Sequence, residues 1–276
     1  MSESAGVSAG DATATSASPV LELDAPTREA FFEYLLRLGD DRLVLGHRTS
    51  EWCGHAPILE EDIALANTAL DLIGQADALL GLAGTAEGKG RDADGLAFHR
   101  DGIQFRNAQI CELPKGDFAF TIARQFLWGT FAYYVAEALR SSAHSELAGI
   151  AAKAAKEHRY HVRHSGEWLV RLGDGTDESH RRAQTALDEL WRFTGELFVA
   201  DEVDATVLAS GLGADPAAIL PRWREQVEQV VAAATLQLPK DAWMARGGRS
   251  GRHTEHLGLM LAEMQILPRS HPGATW

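Results

Sequence analysis

Apolar residues recur at three- and four-residue spacings along nearly the whole 276-residue chain, and this helical periodicity constrains the fold more than any other feature. The alternation of apolar and polar residues that marks a half-buried strand does not continue over any useful length. The sequence contains no internal repeat, and the chain is long enough to bury a substantial core as one large domain. The sequence therefore predicts an all-α protein.

The helical pattern falls into separate segments divided by glycine-rich or polar stretches. It predicts helices over residues 21–53, 57–82, 117–142, 145–172, 178–198, 215–236 and 252–267. Gly39-Asp40-Asp41 is expected to bend or break the first helix. The third is rich in aromatic residues, which are expected to form core or a partner interface. Four long early helices followed by further ones predict a ferritin-like helical bundle with additional C-terminal helices.

The N-terminal stretch MSESAGVSAGDATATSASP has too few apolar residues to bury a core. We expect residues 1–20 to be a disordered tail and residues 21–276 to form a single ferritin-like domain. The stretch also lacks the basic start and apolar run of a signal peptide, and no apolar run approaches the roughly 18 residues of a transmembrane helix. These observations favour a cytoplasmic protein that does not enter a membrane.

Charge and cysteine content exclude further classes of protein. Lys and Arg total 26 against 39 Asp and Glu, which gives a formal net charge of −13 and argues against nucleic-acid binding. The two cysteines, Cys53 and Cys111, have neither metal-site spacing nor the density of a disulfide scaffold. We expect both to be reduced thiols, buried or half-buried.

A di-metal centre in such a bundle takes glutamates from two helices and Glu-x-x-His from the other two. Residues three apart on a helix project to one side, so they can bind the same ion. No glutamate in this chain has a histidine three residues later. The one Asp-x-x-His, from Asp177 to His180, follows a glycine-rich turn and is expected to begin a helix.

Asn67, Asp71 and Gln75 share one face of the second predicted helix, which contains ALDLIGQADALL. The favoured interpretation is a hydrogen-bonded polar seam inside the bundle, because buried polar groups are normally paired. A ligand pocket or an exposed subunit surface remains an alternative. Leu72, beside this face, cannot bind a metal, and the Gln75 amide lacks the basicity of an imidazole.

Two other groups of residues keep a metal site open as an alternative. The stretch EHRYHVRHSGEW places Glu157, His161 and His164 within a narrow arc of the fourth predicted helix. Glu51 and His55, together with His47, lie on a drifting stripe at the end of the first segment. The arginines beside these residues favour ion-pair networks over a functional metal site.

Several long stretches resemble the C subunit of the bacterial phenylacetyl-CoA 1,2-epoxidase, also called phenylacetate-CoA oxygenase. The matching stretches are SEWCGHAPILEEDIALANTALDLIGQA, GRDADGLAF, FRNAQICELPKGDFAFTIARQF, AAKEHRYHVRHSGEWLVRLGDGTDESHRR and HTEHLGLMLAEMQ. They extend from Ser50 to Gln265, and several are long and unusual in composition, which makes the resemblance specific. The N-terminal tail has no counterpart in the resemblance.

The resemblance implies a ferritin-like subunit of a multicomponent monooxygenase. In that family a homologous A subunit holds the di-iron centre and binds the CoA thioester, while the C subunit pairs with it and is regarded as structural. A small B subunit bridges such pairs, and a reductase with flavin and iron–sulfur groups delivers electrons from NADPH. The complex forms a ring-1,2-epoxide during phenylacetate degradation. The resemblance thus implies no metal or cofactor in this chain.

The resemblance also indicates what has replaced two ligands. An Asp-Glu-Ala-Gly-His segment is expected to supply the second-helix ligands of the catalytic A subunit, and this chain has Asp71-Leu72-Ile73-Gly74-Gln75 at the aligned place. The two ligand positions become Leu72 and Gln75, while the aspartate and glycine match. The pattern indicates a fold that kept its packing and lost its metal.

Three hypotheses follow. The first is a non-catalytic structural subunit of an aryl-CoA oxygenase complex. The second is an autonomous ferritin-like oxygenase that uses Glu51, His55, Glu157, His161 and His164 on a non-standard metal. The third is a module that binds an acyl-CoA or a regulatory ligand along the polar seam. Metal analysis distinguishes the first two, and calorimetry with phenylacetyl-CoA tests the third.

Overall fold

A computed structural model describes residues 22–240 and 242–274, so the tail expected over residues 1–20 lies outside the described residues. Within those ranges the chain forms helices and no strand, which confirms an all-α fold of the ferritin-like bundle type. The helices are α1 (Ala25–Ser50), α2 (Leu59–Glu87), α3 (Ala93–Phe98), α4 (Gln109–Glu112), α5 (Phe118–Leu139), α6 (Ser145–Gly173), α7 (Asp177–Trp191), α8 (Glu202–Ala209), α9 (Pro216–Ala233) and α10 (Glu255–Ser270).

The four long helices α1, α2, α5 and α6 form the bundle. α1 packs along α2, α5 packs along α6, and contacts between α2 and α6 join the two pairs. α7 and α9 cover α5, while α10 contacts α3. Of the aromatic residues of α5, three are buried in the core and four are half-buried against it; the buried ones are Phe126, Trp128 and Phe131, and the half-buried ones are Phe118, Phe120, Tyr133 and Tyr134. This packing brings polar side chains of α1, α2 and α6 together inside the bundle.

Two glycines allow α1 to approach α2 closely. A Cβ atom added at Gly39 would lie 2.7 Å from Leu80 Cδ2, and one added at Gly46 would lie 2.9 Å from Ile73 Cγ1. The two glycines are seven residues apart, so they share one face of the helix. Gly39 therefore serves helix packing, and a break of the helix at Gly39-Asp40-Asp41 is wrong because α1 is continuous from Ala25 to Ser50.

Asp40 and Asp41, the acidic residues that suggested a bend, are buried and form ion pairs with arginines further along the chain. Arg249 Nη1 donates to Asp41 Oδ1 at 2.8 Å, and His253 Nδ1 donates to Glu112 Oε2 at 2.7 Å. Further donors are backbone N–H groups, such as that of Ala108 to Asp41. We call the following ion pairs the arm clamp: Asp40 with Arg100, Asp41 with Arg249, and Glu112 with His253. The pairs of Arg249 and His253 fix the chain after α9 onto α1 and α4, and the pair of Arg100 fixes the segment after α3 onto α1.

Several helix boundaries differ from those expected. α2 begins at Leu59 instead of residue 57 and continues to Glu87, five residues past the expected end. Gly88, with φ 71°, then adopts the left-handed conformation that ends the helix. α7 begins at Asp177 as the Asp-x-x-His interpretation requires, but it ends at Trp191 instead of residue 198.

The short helices α3, α4 and α8 were not predicted. They have six, four and eight residues, too few for a clear periodic pattern. Tertiary contacts stabilise them; in α8, for example, Asp204 and the N-cap Asp201 both accept hydrogen bonds from Arg37 on α1. Short helices of this kind depend on packing more than on local propensity.

The two cysteines differ in environment. Cys111 is buried, and burial raises the pKa of its thiol well above the usual value. Cys53 is exposed, so the expectation that both thiols are at least half-buried is wrong for Cys53. Cys53 lies in the turn between α1 and α2, outside the core.

α2 is long and apolar enough to cross a membrane by length and composition alone, with a mean hydropathy of 1.2 over its 18-residue window. In the bundle, 44% of that window is buried, and the helix packs on both α1 and α6. Because the core helix of a helical bundle passes the same test, this one helix is weak support for a membrane span.

Candidate functional site: the buried polar cluster between α1, α2 and α6

A chain of hydrogen bonds joins α1, α2 and α6 inside the bundle. Arg42 Nε donates to Gln75 Oε1 at 2.8 Å, and Gln75 Nε2 donates to Glu157 Oε2 at 2.8 Å. Arg42 and Gln75 are buried, and Arg42 also donates to the Leu38 carbonyl. Burial lowers the pKa of Arg42 to about 10, so its guanidinium remains protonated at neutral pH. With His158, these residues form what we call the polar cluster: Arg42, Gln75, Glu157 and His158.

Leu72 is the apolar neighbour of Gln75 on α2. It precedes Gln75 by three residues on α2, so both side chains project to one side of the helix. Its side chain is fully buried in the main core, and the Cβ of an alanine at Gly46 would lie 3.3 Å from Leu72 Cβ. Leucine thus fills the interior position at which the resemblance expects a ligand in the catalytic subunit.

His158 is a further member of the polar cluster, and the sequence analysis missed it. Its ring lies edge-on to Trp128, with centroids 5.6 Å apart, and neither ring nitrogen has a hydrogen-bond partner within residues 22–240 and 242–274. Burial, and then the charge of Arg42, hold the pKa of His158 well below its usual value. His158 lies three residues before His161, which makes a His-x-x-His pattern, and it therefore does not match Glu-x-x-His. The sequence does indicate that His158 is buried, because it lies on the same helical stripe as the apolar residues Ala151, Ala154 and Val162.

Two imidazole–carboxylate pairs connect α6 to α2 beside the polar cluster. His161 Nε2 donates to Asp71 Oδ2 at 3.0 Å, and His164 Nε2 donates to Glu61 Oε2 at 2.9 Å. Tyr160 stacks on His164, with ring centroids 6.0 Å apart and planes at 16°. The histidines of the α6 stripe therefore form hydrogen-bonded pairs with carboxylates of α2, and Arg159 and Arg163 take no part in these pairs.

The three residues of the predicted seam lie at different depths. Gln75 is 5% exposed, the Asp71 side chain is 38% exposed, and Asn67 is exposed. Residues four apart on a helix are rotated by about 40° relative to one another, so a stripe of three drifts from the surface into the interior. The structure places Gln75 inside the bundle, Asp71 at its edge and Asn67 outside.

The five alternative metal ligands are not brought together. Glu51 is exposed and accepts a hydrogen bond from Arg48 at 2.7 Å, while His55 is exposed and its Nδ1 lies 2.9 Å from the Cys53 carbonyl oxygen. Glu157 accepts a hydrogen bond from Gln75, His161 pairs with Asp71, and His164 pairs with Glu61. In the described part of the chain, no group of three or more His, Cys, Asp and Glu side chains is arranged to hold a metal ion.

The residues at this position do not fit a di-iron centre. Such a centre requires carboxylates from all four helices and two imidazoles to balance the charge of its ions. Here α2 presents Leu72 and Gln75, and α1 presents the Arg42 guanidinium, whose positive charge opposes cation binding. Gln75 already uses both its oxygen and its nitrogen in hydrogen bonds. The arrangement can connect three helices, but it does not supply a donor set for two iron ions.

Comparison with known proteins places the chain in a family. Residues 14–276 match the model of the family described as phenylacetic acid catabolic protein. The chain belongs to this family. A curated protein similar to this chain is the C subunit of the 1,2-phenylacetyl-CoA epoxidase of Escherichia coli strain K12. The two are 50% identical over 243 residues, which cover 88% of this chain and 98% of the relative. The family resemblance predicted from the quoted stretches is confirmed.

Proposed function

We propose that this chain is the C subunit of a 1,2-phenylacetyl-CoA epoxidase, a monooxygenase complex of phenylacetate catabolism, and that the chain itself is a non-catalytic structural partner. One observation carries the structural part: the buried Arg42 and Gln75 form a hydrogen-bonded chain with the half-buried Glu157, beside the apolar Leu72. The extent of the similarity to the E. coli relative supports the assignment to the complex.

In this proposal the chain pairs with the catalytic A subunit, which carries the di-iron centre. The small B subunit bridges such pairs, and the reductase supplies electrons from NADPH through its flavin and iron–sulfur groups. This chain holds none of these groups. Its localisation is cytoplasmic, and neither nucleic acid nor a membrane is among its partners.

The contribution of the chain is mechanical support. Residues that bind a metal need rigid elements behind them, because small displacements of the ligands lower activity. In this bundle, hydrogen bonds between side chains of α1, α2 and α6 hold the helices without a metal, and the two imidazole–carboxylate pairs reinforce the α2–α6 contact. A bundle stabilised in this way presents fixed helix faces to the A subunit.

Reconstitution tests the proposal. The A, B and reductase subunits are purified with and without this chain, and NADPH-dependent epoxidation of phenylacetyl-CoA is measured together with the iron content of the A subunit. We expect activity only when the chain is present, and no activity from this chain with the reductase alone. A soluble A subunit with full iron content and full activity in the absence of this chain would contradict the supporting role.

A further inference from the structure

A groove of about 670 Å³ runs between α5, α6 and α9, away from the polar cluster. Its floor is apolar and includes Phe126, Val162, Val170 and Val230. Gly166 lies in this floor, where a Cβ atom would come within 3.4 Å of the Phe126 ring and 3.8 Å of Val230 Cγ1. The absence of a side chain at this position keeps the groove open between α5 and α9.

The rim of the groove is basic, although the chain as a whole has a net charge of −13. Arg159, Arg163 and Arg171 line it from α6, and the only carboxylate among the described lining residues is Glu167, which lies 3.9 Å from Arg171. Arg163 stacks over the Tyr160 ring at 5.7 Å. Neither Arg159 nor Arg163 has a carboxylate partner within the described ranges, so the groove concentrates positive charge on an acidic protein.

The spacing of the arginines indicates the shape of the occupant. Arg159 and Arg171 are twelve residues apart on α6, which corresponds to about 18 Å along the helix at 1.5 Å per residue. A phosphate group requires several donors that converge on one point. Guanidinium groups distributed along an apolar groove instead match carboxylates distributed along a polypeptide with one apolar face.

We infer that this groove docks an acidic amphipathic segment of a partner subunit, with apolar side chains against the floor and carboxylates against Arg159 and Arg163. The inference rests on the proposed function, which makes the chain one subunit of a complex. An acidic partner would be repelled by most of this surface, so the basic groove also restricts where such a segment binds.

The test uses the full chain with the other subunits of its own complex. Binding is measured by biolayer interferometry for the wild type, for the double variant Arg159→Glu/Arg163→Glu, and for Arg140→Glu as the matched control. Arg140 is exposed at the end of α5 and lies outside the groove. Circular dichroism and the melting temperature establish that each variant is folded.

We expect the double variant to bind at least about tenfold more weakly than the wild type at about 0.05 M salt, and we expect this difference to shrink at about 0.5 M salt, where exposed charges are screened. The control is expected to bind like the wild type. Hydrogen exchange of the wild-type complex should show added protection over residues 159–171 and 226–230. Equal affinity of the double variant and the wild type, without added protection there, would overturn the inference.

The remaining outcomes separate this inference from the function on which it rests. If the wild-type chain binds no subunit of the complex, the proposed function fails and the inference fails with it. If the wild type binds but the groove variants have no effect, only the inference fails. Self-association of the chain alone that the double variant abolishes would assign the groove to a second copy. Saturable binding of phenylacetyl-CoA that the double variant abolishes would assign it to an anionic ligand. Both results would overturn the partner assignment.

Discussion

The polar cluster and the arm clamp are both buried, and both use residues 40–42 of α1, but they satisfy their polar groups to different degrees. In the arm clamp, Asp40 and Asp41 each face an arginine, Glu112 faces His253, and each carboxylate also accepts at least one backbone N–H group. In the polar cluster, Arg42 meets the neutral Gln75, and the two ring nitrogens of His158 have no partner among the described residues. Because the clamp consists of paired buried charges and the polar cluster leaves the His158 ring nitrogens without a described partner, we expect substitutions in the clamp to cost more stability than substitutions in the polar cluster.

The largest effect should come from removing one charge of the clamp. Arg100→Met leaves the fully buried Asp40 carboxylate without its cation, and breaking a buried ion pair costs about 3–5 kcal/mol. Urea unfolding monitored by circular dichroism measures the loss. Arg181→Met, which breaks an exposed pair on α7, is the control and should leave the free energy of unfolding almost unchanged, because solvent screens exposed ion pairs. An equal effect of the two variants would remove the distinction between a buried clamp and a surface pair.

A smaller loss is expected at the polar cluster. Arg42→Met removes the hydrogen bonds to Gln75 and to the Leu38 carbonyl, which should lower the free energy of unfolding by about 1–3 kcal/mol. Glu157 is not stranded, because its side chain is 18% exposed and lies 3.6 Å from Lys153 Nζ. The same urea experiment measures the change. A loss as large as that of Arg100→Met would show that the two regions are equally essential.

The two regions should also respond to pH in opposite directions. The pKa of His158 is lowered in the fold, so the unfolded chain binds a proton first as pH falls below about 6.5, and stability then falls by up to about 1.4 kcal/mol per pH unit. For His253, burial lowers the pKa, but the hydrogen bond and charge of Glu112 raise it overall. The contribution of His253 to the free energy of unfolding is therefore complete below about pH 6.5 and is lost as pH rises through its raised pKa.

Unfolding measured from pH 5 to 9 tests these signs. His158→Leu should remove part of the loss of stability on the acidic side, and His253→Gln should flatten the loss on the alkaline side. If either substitution left the shape of the stability–pH curve unchanged, the corresponding histidine would not be the titrating group.

The smallest effect is expected for His158→Leu at pH 8, where the imidazole is neutral in both states. Because neither ring nitrogen has a described partner, replacement by an apolar side chain removes no hydrogen bond, and the change should lie within about 1 kcal/mol of zero. Thermal and urea unfolding at that pH provide the measurement. A loss above about 2 kcal/mol would mean that the imidazole makes an interaction that its geometry does not indicate.

The long helices could be predicted from the sequence because their apolar periodicity extends over many turns. α6, for instance, was expected over residues 145–172 and is found from Ser145 to Gly173. Leu72 and Gln75 could also be interpreted from the sequence, since a residue type either has a metal-binding group or lacks one. The helix prediction depends on local information alone, whereas it was the family resemblance that placed Leu72 and Gln75 at ligand positions.

The rest depends on contacts between distant residues. In the sequence, Asp40 and Asp41 beside Gly39 resemble turn residues. Their cationic partners lie about 60 and 208 positions further along the chain, so the local sequence does not show that they form buried ion pairs. Arg42 follows Asp40 and Asp41 on α1, and the Gln75 side chain that accepts its hydrogen bond is on another helix. His158 is not part of a Glu-x-x-His motif. The basic groove likewise appears only when α5, α6 and α9 pack together.

The most direct test of the central claim is the location of iron in the intact complex. Anomalous diffraction at the iron absorption edge, collected from crystals of this chain with its A subunit, would locate each iron ion relative to both proteins. We expect iron between the helices of the A subunit and no anomalous peak beside Arg42, Gln75 and Glu157. Two iron ions bound between α1, α2, α5 and α6 of this chain would contradict the account.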